Sequence, residues 1–262
     1  MATLEIAGGL LDVRLHPADP VGAGQPPLVF LHEGLGSADL WRDFPEAVRR
    51  GTGGPASLVY SRHGHGRSGR ATVPLPVTYM HREAEVVLPE LLARLGIDRP
   101  ILIGHSDGAS IAILFAGAGH AVAGLALLAP HVFVEEKSID GIRAAADTYA
   151  TNLRERLARH HDDVDATFWS WNNVWLSEEF RSWNIEDRLA TIACPVLVVQ
   201  GDADEYGTKA QVDAIKTGVG GPTHIVWLAG VGHQPHLEAP DVTLAEVGAF
   251  VAQVSSAEDS PR

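Results

Sequence analysis

Short apolar runs alternate with helix-like segments along most of this chain, and that rhythm constrains the fold more than any other feature. Residues 28–31, 57–60, 101–103, 125–128, 196–199 and 225–228 are three or four residues long and nearly free of polar side chains. Runs of this length and character predict buried strands of a mostly parallel sheet with helices on its faces. Residues 4–6 and 10–15, joined through Gly8-Gly9, predict an N-terminal hairpin. Between the runs, residues 78–95 carry Val87, Leu88, Leu91, Leu92 and Leu95 on one helical face, with Gly96 as the stop. Pro89 argues against one straight helix there. Residues 107–118 and 244–254 are rich in small side chains and suit close packing on a sheet. The polar tail, residues 255–262, is expected to fray.

The strand rhythm stops for about sixty residues between Pro130 and Cys194. Ile142, Ala145, Ala146, Tyr149, Leu153 and Leu157 recur there at helical spacing, as do Val164, Phe168, Trp171 and Trp175. Ser177 is placed to cap a further helix holding Phe180 and Trp183. The expected organisation is a core of residues 1–130 and 191–262 with a helical cap at 131–190. Four of the six tryptophans lie in the cap. Trp171 and Trp175 are expected in its own core. Trp169 is off their stripe and is a candidate ligand contact, since apolar lids exclude water and supply substrate contacts.

Charge and cysteine usage bound the remaining classes. A net charge of −13 disfavours a nucleic-acid partner, which calls for clustered Lys and Arg. No run approaches the roughly 20 apolar residues of a membrane span. The N-terminus lacks a basic region followed by an apolar stretch, so no secretory signal is expected. Cys194 is the single cysteine, which excludes an internal disulfide and suits a reducing compartment. The expectation is a cytoplasmic protein acting on a small molecule.

The chemistry is concentrated at Gly104-His105-Ser106-Asp107-Gly108, a G-x-S-x-G pattern that follows a strand and opens a helix. Such a turn lifts a serine hydroxyl above the sheet edge and aims helix N-terminal amides at an anion formed beside it. Serine needs a base. His233 supplies it, in a glycine-rich loop after the last strand. The acid that orients His233 should follow residues 196–200, where Asp202, Asp204 and Glu205 compete. Asp204 is preferred, three residues past Gly201, where the chain can curve back over the sheet end. Asp202 and Glu205 suit turn capping or solvation. The amide of Asp107 is one oxyanion donor. The other is expected from Gly34, with Glu33 as the alternative.

The segments His32-Glu33-Gly34-Leu35-Gly36, Ser61-Arg62-His63-Gly64-His65-Gly66-Arg67-Ser68, the Ser106 turn, Gly201-x-x-Asp204 and Gly232-His233 occur in the order of α/β-hydrolase-fold enzymes. The chain resembles that superfamily from about Leu28 to Phe250, most closely the small bacterial esterase, haloperoxidase-like and carbon–carbon-bond hydrolase groups. The resemblance implies an α/β fold with a mostly parallel eight-stranded sheet, helices on both faces and a helical cap after strand six. Three positions depart from the pattern: Glu33 replaces a glycine, Ser61 stands where Asp is frequent, and Asp107 where an apolar residue or Gln is frequent. Two carboxylates beside the reactive serine would disfavour anionic substrates by repulsion.

These features predict a serine hydrolase that cleaves an ester or lactone through an acyl-enzyme, with no metal or organic cofactor. Carbon–carbon bond hydrolysis, or a related lyase reaction, with the same triad is the alternative within catalysis. A non-catalytic small-ligand receptor is the alternative of another class. Haloalkane or epoxide opening usually places Asp at position 106, so Ser106 argues against it. His131 and Tyr206 are further candidate substrate contacts. His63 with His65, His236, and His160-His161-Asp162-Asp163 are assigned structural or solvated roles rather than a metal site. Cys194 is read as a small buried residue.

Overall fold

Strands buried on both faces are apolar throughout, and the computed structural model, which describes residues 2–258, places these runs in one sheet. Its strands are β1 (Ala2–Ile6), β2 (Gly9–His16), β3 (Leu28–Leu31), β4 (Ser57–Tyr60), β5 (Ile101–His105), β6 (Gly124–Leu128), β7 (Val196–Gly201) and β8 (Thr223–Leu228). They are ordered β1-β2-β4-β3-β5-β6-β7-β8. The β1–β2 hairpin joins β4 antiparallel, and every pairing from β4 to β8 is parallel. All residues of β3 to β7 are buried. Edge strand β8 is only partly covered and leaves Trp227 exposed.

Among the described residues the helices are α1 (Phe44–Gly51), α2 (Tyr79–Arg82), α3 (Leu88–Leu95), α4 (Asp107–Gly117), α5 (Glu136–Thr148), α6 (Arg154–Leu157), α7 (Val164–Leu176), α8 (Lys209–Gly218), α9 (Pro235–Glu238) and α10 (Pro240–Glu258). Strand alternation splits the core into two layers. Leu28, Phe30, Ile101, Ile103, Leu197 and Val199 face α1 and α10. Val29, Leu31, Leu102, Leu125, Leu127 and Val198 pack with α2 to α4 and α8. This eight-stranded, mostly parallel sheet with helices on both faces is the architecture that the order of motifs implied.

One local expectation holds and one changes. Residues 78–95 are not one regular α-helix: a π turn at Glu83–Val87 separates α2 from α3 and places Pro89 in the first turn of α3, where its missing N–H matters least. The tail is not frayed from Ser255. Helix α10 continues to Glu258 with Ser255 buried, and residues 259–262 lie outside the described residues. No helix among the described residues is long and apolar enough to cross a membrane.

Candidate active site

Ser106 sits at the junction of β5 and α4 with φ 52° and ψ −117°, a conformation rare for a residue with a side chain. Its N–H donates to Leu128 O at 2.9 Å, which pins the turn to β6. The flanking glycines have a steric cause. A Cβ on Gly104 would stand 2.6 Å from Ala109 N, and one on Gly108 would collide with the Leu31 carbonyl. Helix α4 therefore packs backbone to backbone on β3, and the strained turn is held by its neighbours.

Two loops meet Ser106 from across the sheet end. His233 Nε2 lies 2.9 Å from Ser106 Oγ, and its Nδ1 lies 3.0 and 2.9 Å from the two oxygens of Asp204. Asp204 is fixed further by the amides of Tyr206 and Gly207 and by Gln200 Nε2 at 2.7 Å. Burial opposes the charge on Asp204, but the hydrogen bond and charge of His233 outweigh it and hold the carboxyl well below its ordinary range. Burial likewise disfavours protonated His233, and Asp204 more than offsets this, so the imidazole lies above its ordinary 6.5. The competing acids are occupied elsewhere. Asp202 accepts from Gly230 N, and Glu205 from the backbone N of His233.

The peptide between Glu33 and Gly34 is held from one side. Its carbonyl accepts from Arg62 Nη2 at 2.8 Å, His32 Nδ1 at 2.7 Å and Gly36 N at 3.0 Å. Because a trans peptide is planar, fixing the carbonyl fixes the opposite N–H of Gly34. That amide has no hydrogen-bond partner among the described residues, and the amide of Asp107 is an unpaired donor by its place in the first turn of α4. His32 is kept neutral, its pKa lowered by burial and by the Arg62 charge, which suits its paired roles as Nδ1 donor and Nε2 acceptor from Arg62 N.

The unusual carboxylates are each matched by a buried partner. Glu33 Oε2 lies 3.4 Å from His105 Nδ1. Burial is the largest single influence and would keep this carboxyl protonated, but His105, with smaller contributions from His32 and His236, outweighs it and holds the pKa below the ordinary range. Asp107 Oδ2 accepts from Tyr79 Oη at 2.6 Å and lies 3.5 Å from Arg62 Nη1. Burial raises the Asp107 pKa, and Arg62 and Tyr79 counter that rise. Trp175 Nε1 donates to Tyr79 Oη at 3.0 Å and closes the network. Neither carboxylate stands bare in the cavity: Glu33 faces His105, and Asp107 faces Arg62 and Tyr79.

Ser106 and His233 open into a cavity of about 290 Å³. Glu33, Gly34, Asp107, His131 and Tyr206 line it, together with Ile142, Leu157, Trp171 and Trp175 from the segment between β6 and β7. The His131 and Tyr206 rings lie 5.5 and 4.7 Å from the His233 ring. Burial lowers the His131 pKa to about 3, so it stays neutral. Trp169 does not line this cavity. It is 41% exposed and borders a separate groove with Val73 and Pro74. Trp171 replaces it, packed so closely on Gly34 that a Cβ there would meet the indole Cδ1 at 2.5 Å. Trp171 and Trp175 thus serve the cavity as well as the insertion's core. A neighbouring cavity of about 400 Å³ shares Gly34, Asp107 and Trp171 but is lined by neither Ser106 nor His233.

Of the remaining histidines, His160 lines the Ser106 cavity rather than standing only in solvent, and others tie loops together. His161 accepts from Gly66 N and contacts Leu35 O, while His65 bridges the carbonyls of His63 and Gly34. His236 packs on Trp41, Phe44 and His105. Among the described residues no three His, Cys, Asp or Glu side chains are grouped to hold a metal ion. Burial pushes the half-buried Cys194 thiol up to about 11. Tyr79 and Arg62 escaped sequence reasoning. Tyr79 begins a four-residue helix that carries no motif, and Arg62 stands in a histidine-rich loop with nothing in its spacing to mark it.

The profile of the alpha/beta hydrolase family matches residues 28–247, a span that holds the Ser106 turn, Asp204 and His233. The chain belongs to the alpha/beta hydrolase family. Solved structures similar to it include the proline iminopeptidase of Mycobacterium smegmatis, at 21% identity and TM-score 0.72, covering 98% of this chain and 99% of that one. An esterase from Thermogutta terrifontis is 17% identical with TM-score 0.72, covering 97% and 98%. The enol-lactonase from Burkholderia xenovorans LB400 is 18% identical with TM-score 0.72, covering 95% and 99%. At these identities the likeness is one of fold. Among curated proteins none matches the chain.

Proposed function

We propose that this hydrolase cleaves a carboxylic ester or lactone of a small molecule through an acyl-enzyme on Ser106, beneath a cap formed by residues 131–190. The observation that carries the proposal is the hydrogen-bonded line from Ser106 Oγ through both nitrogens of His233 to Asp204, at 2.9 Å on each side of the ring. Ser106 Oγ attacks the acyl carbon while His233 Nε2 takes its proton. The carbonyl oxygen becomes an oxyanion and receives the free amides of Gly34 and Asp107. The C–O bond then breaks, and His233 returns the proton to the leaving alkoxide. A water molecule repeats the sequence on the acyl-enzyme, with His233 again as base, and releases the acid and free Ser106. Asp204 steadies the imidazolium in both halves.

Esterase and lactonase neighbours of the same fold support this choice of bond, though one neighbour is named as a peptidase. The test is a panel of nitrophenyl esters, lactones, aminoacyl anilides and a diketone, run on the native protein and on Ser106→Ala. Ester or lactone turnover lost in the variant supports the proposal. Turnover confined to the anilides or the diketone contradicts it.

A further inference from the structure

Charge is distributed unevenly around the reactive cavity. The chain carries 33 Asp and Glu against 20 Lys and Arg, yet the cavity holding Ser106 is lined at its margin by Arg42, Arg156 and Arg159. All three are exposed, and neither Arg42 nor Arg156 makes an ion pair among the described residues. Arg159 contacts Glu155 at 3.6 Å, with both side chains largely in solvent. The carboxylates that face the cavity are Glu33 and Asp107, whose partners are His105, Arg62 and Tyr79. The margin therefore has a net positive charge in a protein of net charge −13.

The backbone presents two of these cations to the cavity. Leu153, Arg156, Leu157 and His160 follow the spacing i, i+3, i+4, i+7, and all four line it. Arg154, one step off that face, is turned outward to Asp165 at 2.6 Å. Arg42 has φ 52°, a left-handed conformation that a long side chain rarely adopts. It is a central residue of the tight turn closed by Phe44 N donating to Trp41 O at 3.2 Å, which accommodates this conformation. Backbone outliers of this kind concentrate at ligand sites. Aliphatic Leu40, Ile142, Leu153 and Leu157 line the same cavity as the reactive Ser106 and the charged margin.

We infer that the substrate is an ester or lactone bearing a carboxylate remote from the scissile bond, an inference that rests on the hydrolase function proposed above. The acyl carbon meets Ser106, the short aliphatic chain crosses the Leu and Ile lining, and Arg42, Arg156 and Arg159 receive the carboxylate. Arginine suits this task because its planar fork matches carboxylate oxygens. The exposed margin also attracts anions from solution at low ionic strength.

The test compares the para-nitrophenyl hemiester of adipic acid with para-nitrophenyl hexanoate, which has the same chain length and no charge. The expected kcat/KM ratio favours the hemiester by about tenfold at low salt and shrinks in 0.5 M NaCl. In the triple variant Arg42→Gln, Arg156→Gln, Arg159→Gln the ratio falls to about one. A wild-type ratio at or below one overturns the inference, as does a preference that survives the triple variant. Calorimetric binding of adipate separates this failure from failure of the hydrolase proposal. If neither ester is cleaved, adipate bound by the native protein and weakened by about tenfold in the triple variant upholds the anion site while the hydrolase proposal falls. Equal binding by both proteins, or none by either, overturns the anion site.

Discussion

Replacing Asp204 by Asn tests the relay through the hydrogen bonds around that one side chain. Asp204 Oδ1 faces two backbone donors, Tyr206 N at 2.7 Å and Gly207 N at 3.2 Å, so the carbamoyl oxygen of the Asn has to take that place. The NH₂ group then takes the place of Oδ2, opposite His233 Nδ1. Gln200 allows this by turning its own carboxamide, since its buried Oε1 has no partner in the native protein. Facing an N–H donor, His233 Nδ1 becomes an acceptor and the ring proton moves to Nε2, the atom that has to accept the Ser106 proton. The expected loss in kcat is on the order of 10⁴-fold, or about 5.5 kcal/mol at 1.36 kcal/mol per factor of ten. Circular dichroism should show the native fold. The assay is steady-state hydrolysis of whichever ester is turned over fastest, followed across pH. The proposed mechanism needs neutral His233, whose pKa Asp204 raises against the effect of burial, so it places the acid limb of native kcat/KM above 6.5. In the variant any residual acid limb moves down, because the charge that favours the imidazolium has gone. Activity within about tenfold of native, or an unmoved acid limb, would refute the tautomer reasoning.

Two further substitutions probe the supporting shell. Tyr79→Phe removes the donor to Asp107 and the acceptor of Trp175 Nε1 together, leaving two buried groups short of a partner. It should cost about 3 kcal/mol and lower Tm by roughly 6–12 °C, and a calorimetric Tm within about 2 °C of native would show that the network carries little. Gly34→Ala drives a methyl into the Trp171 indole and moves the held peptide. A fall of about 10²-fold in kcat/KM with native circular dichroism is expected, whereas unchanged kinetics would mean that the Gly34 amide is not placed against the reacting oxygen.

How much was legible in the sequence follows from which interactions are local. Strands β3 to β7 are short and buried on both faces, so they appear as apolar runs whatever surrounds them. The Ser106 turn is legible because Gly104 meets the backbone of Gly108 and Ala109 within the same few residues, although Gly108 is required by the distant Leu31 carbonyl of β3. The Tyr79–Asp107–Trp175 network joins residues 28 and 96 positions apart, and Tyr79 and Trp175 belong to no motif that would have tied them to Asp107. Trp169 and Trp171 show the limit of periodicity. Two positions on a helix differ by about 200°, and packing of α7 over Gly34, rather than any pattern within α7, decides which indole faces the cavity. The arginine margin was hidden for the same reason: Arg42 and Arg156 are ordinary charged surface residues until the fold brings both to the opening over Ser106.

The central claim is that Ser106 is the nucleophile, and covalent trapping tests it most directly. The folded protein is treated with a fluorophosphonate, digested, and its peptides are mapped by mass spectrometry. A single phosphonyl adduct on Ser106, suppressed in Asp204→Asn and absent after prior denaturation, is the predicted result. An unlabelled Ser106 in folded native protein, or an adduct on another residue only, would contradict the account.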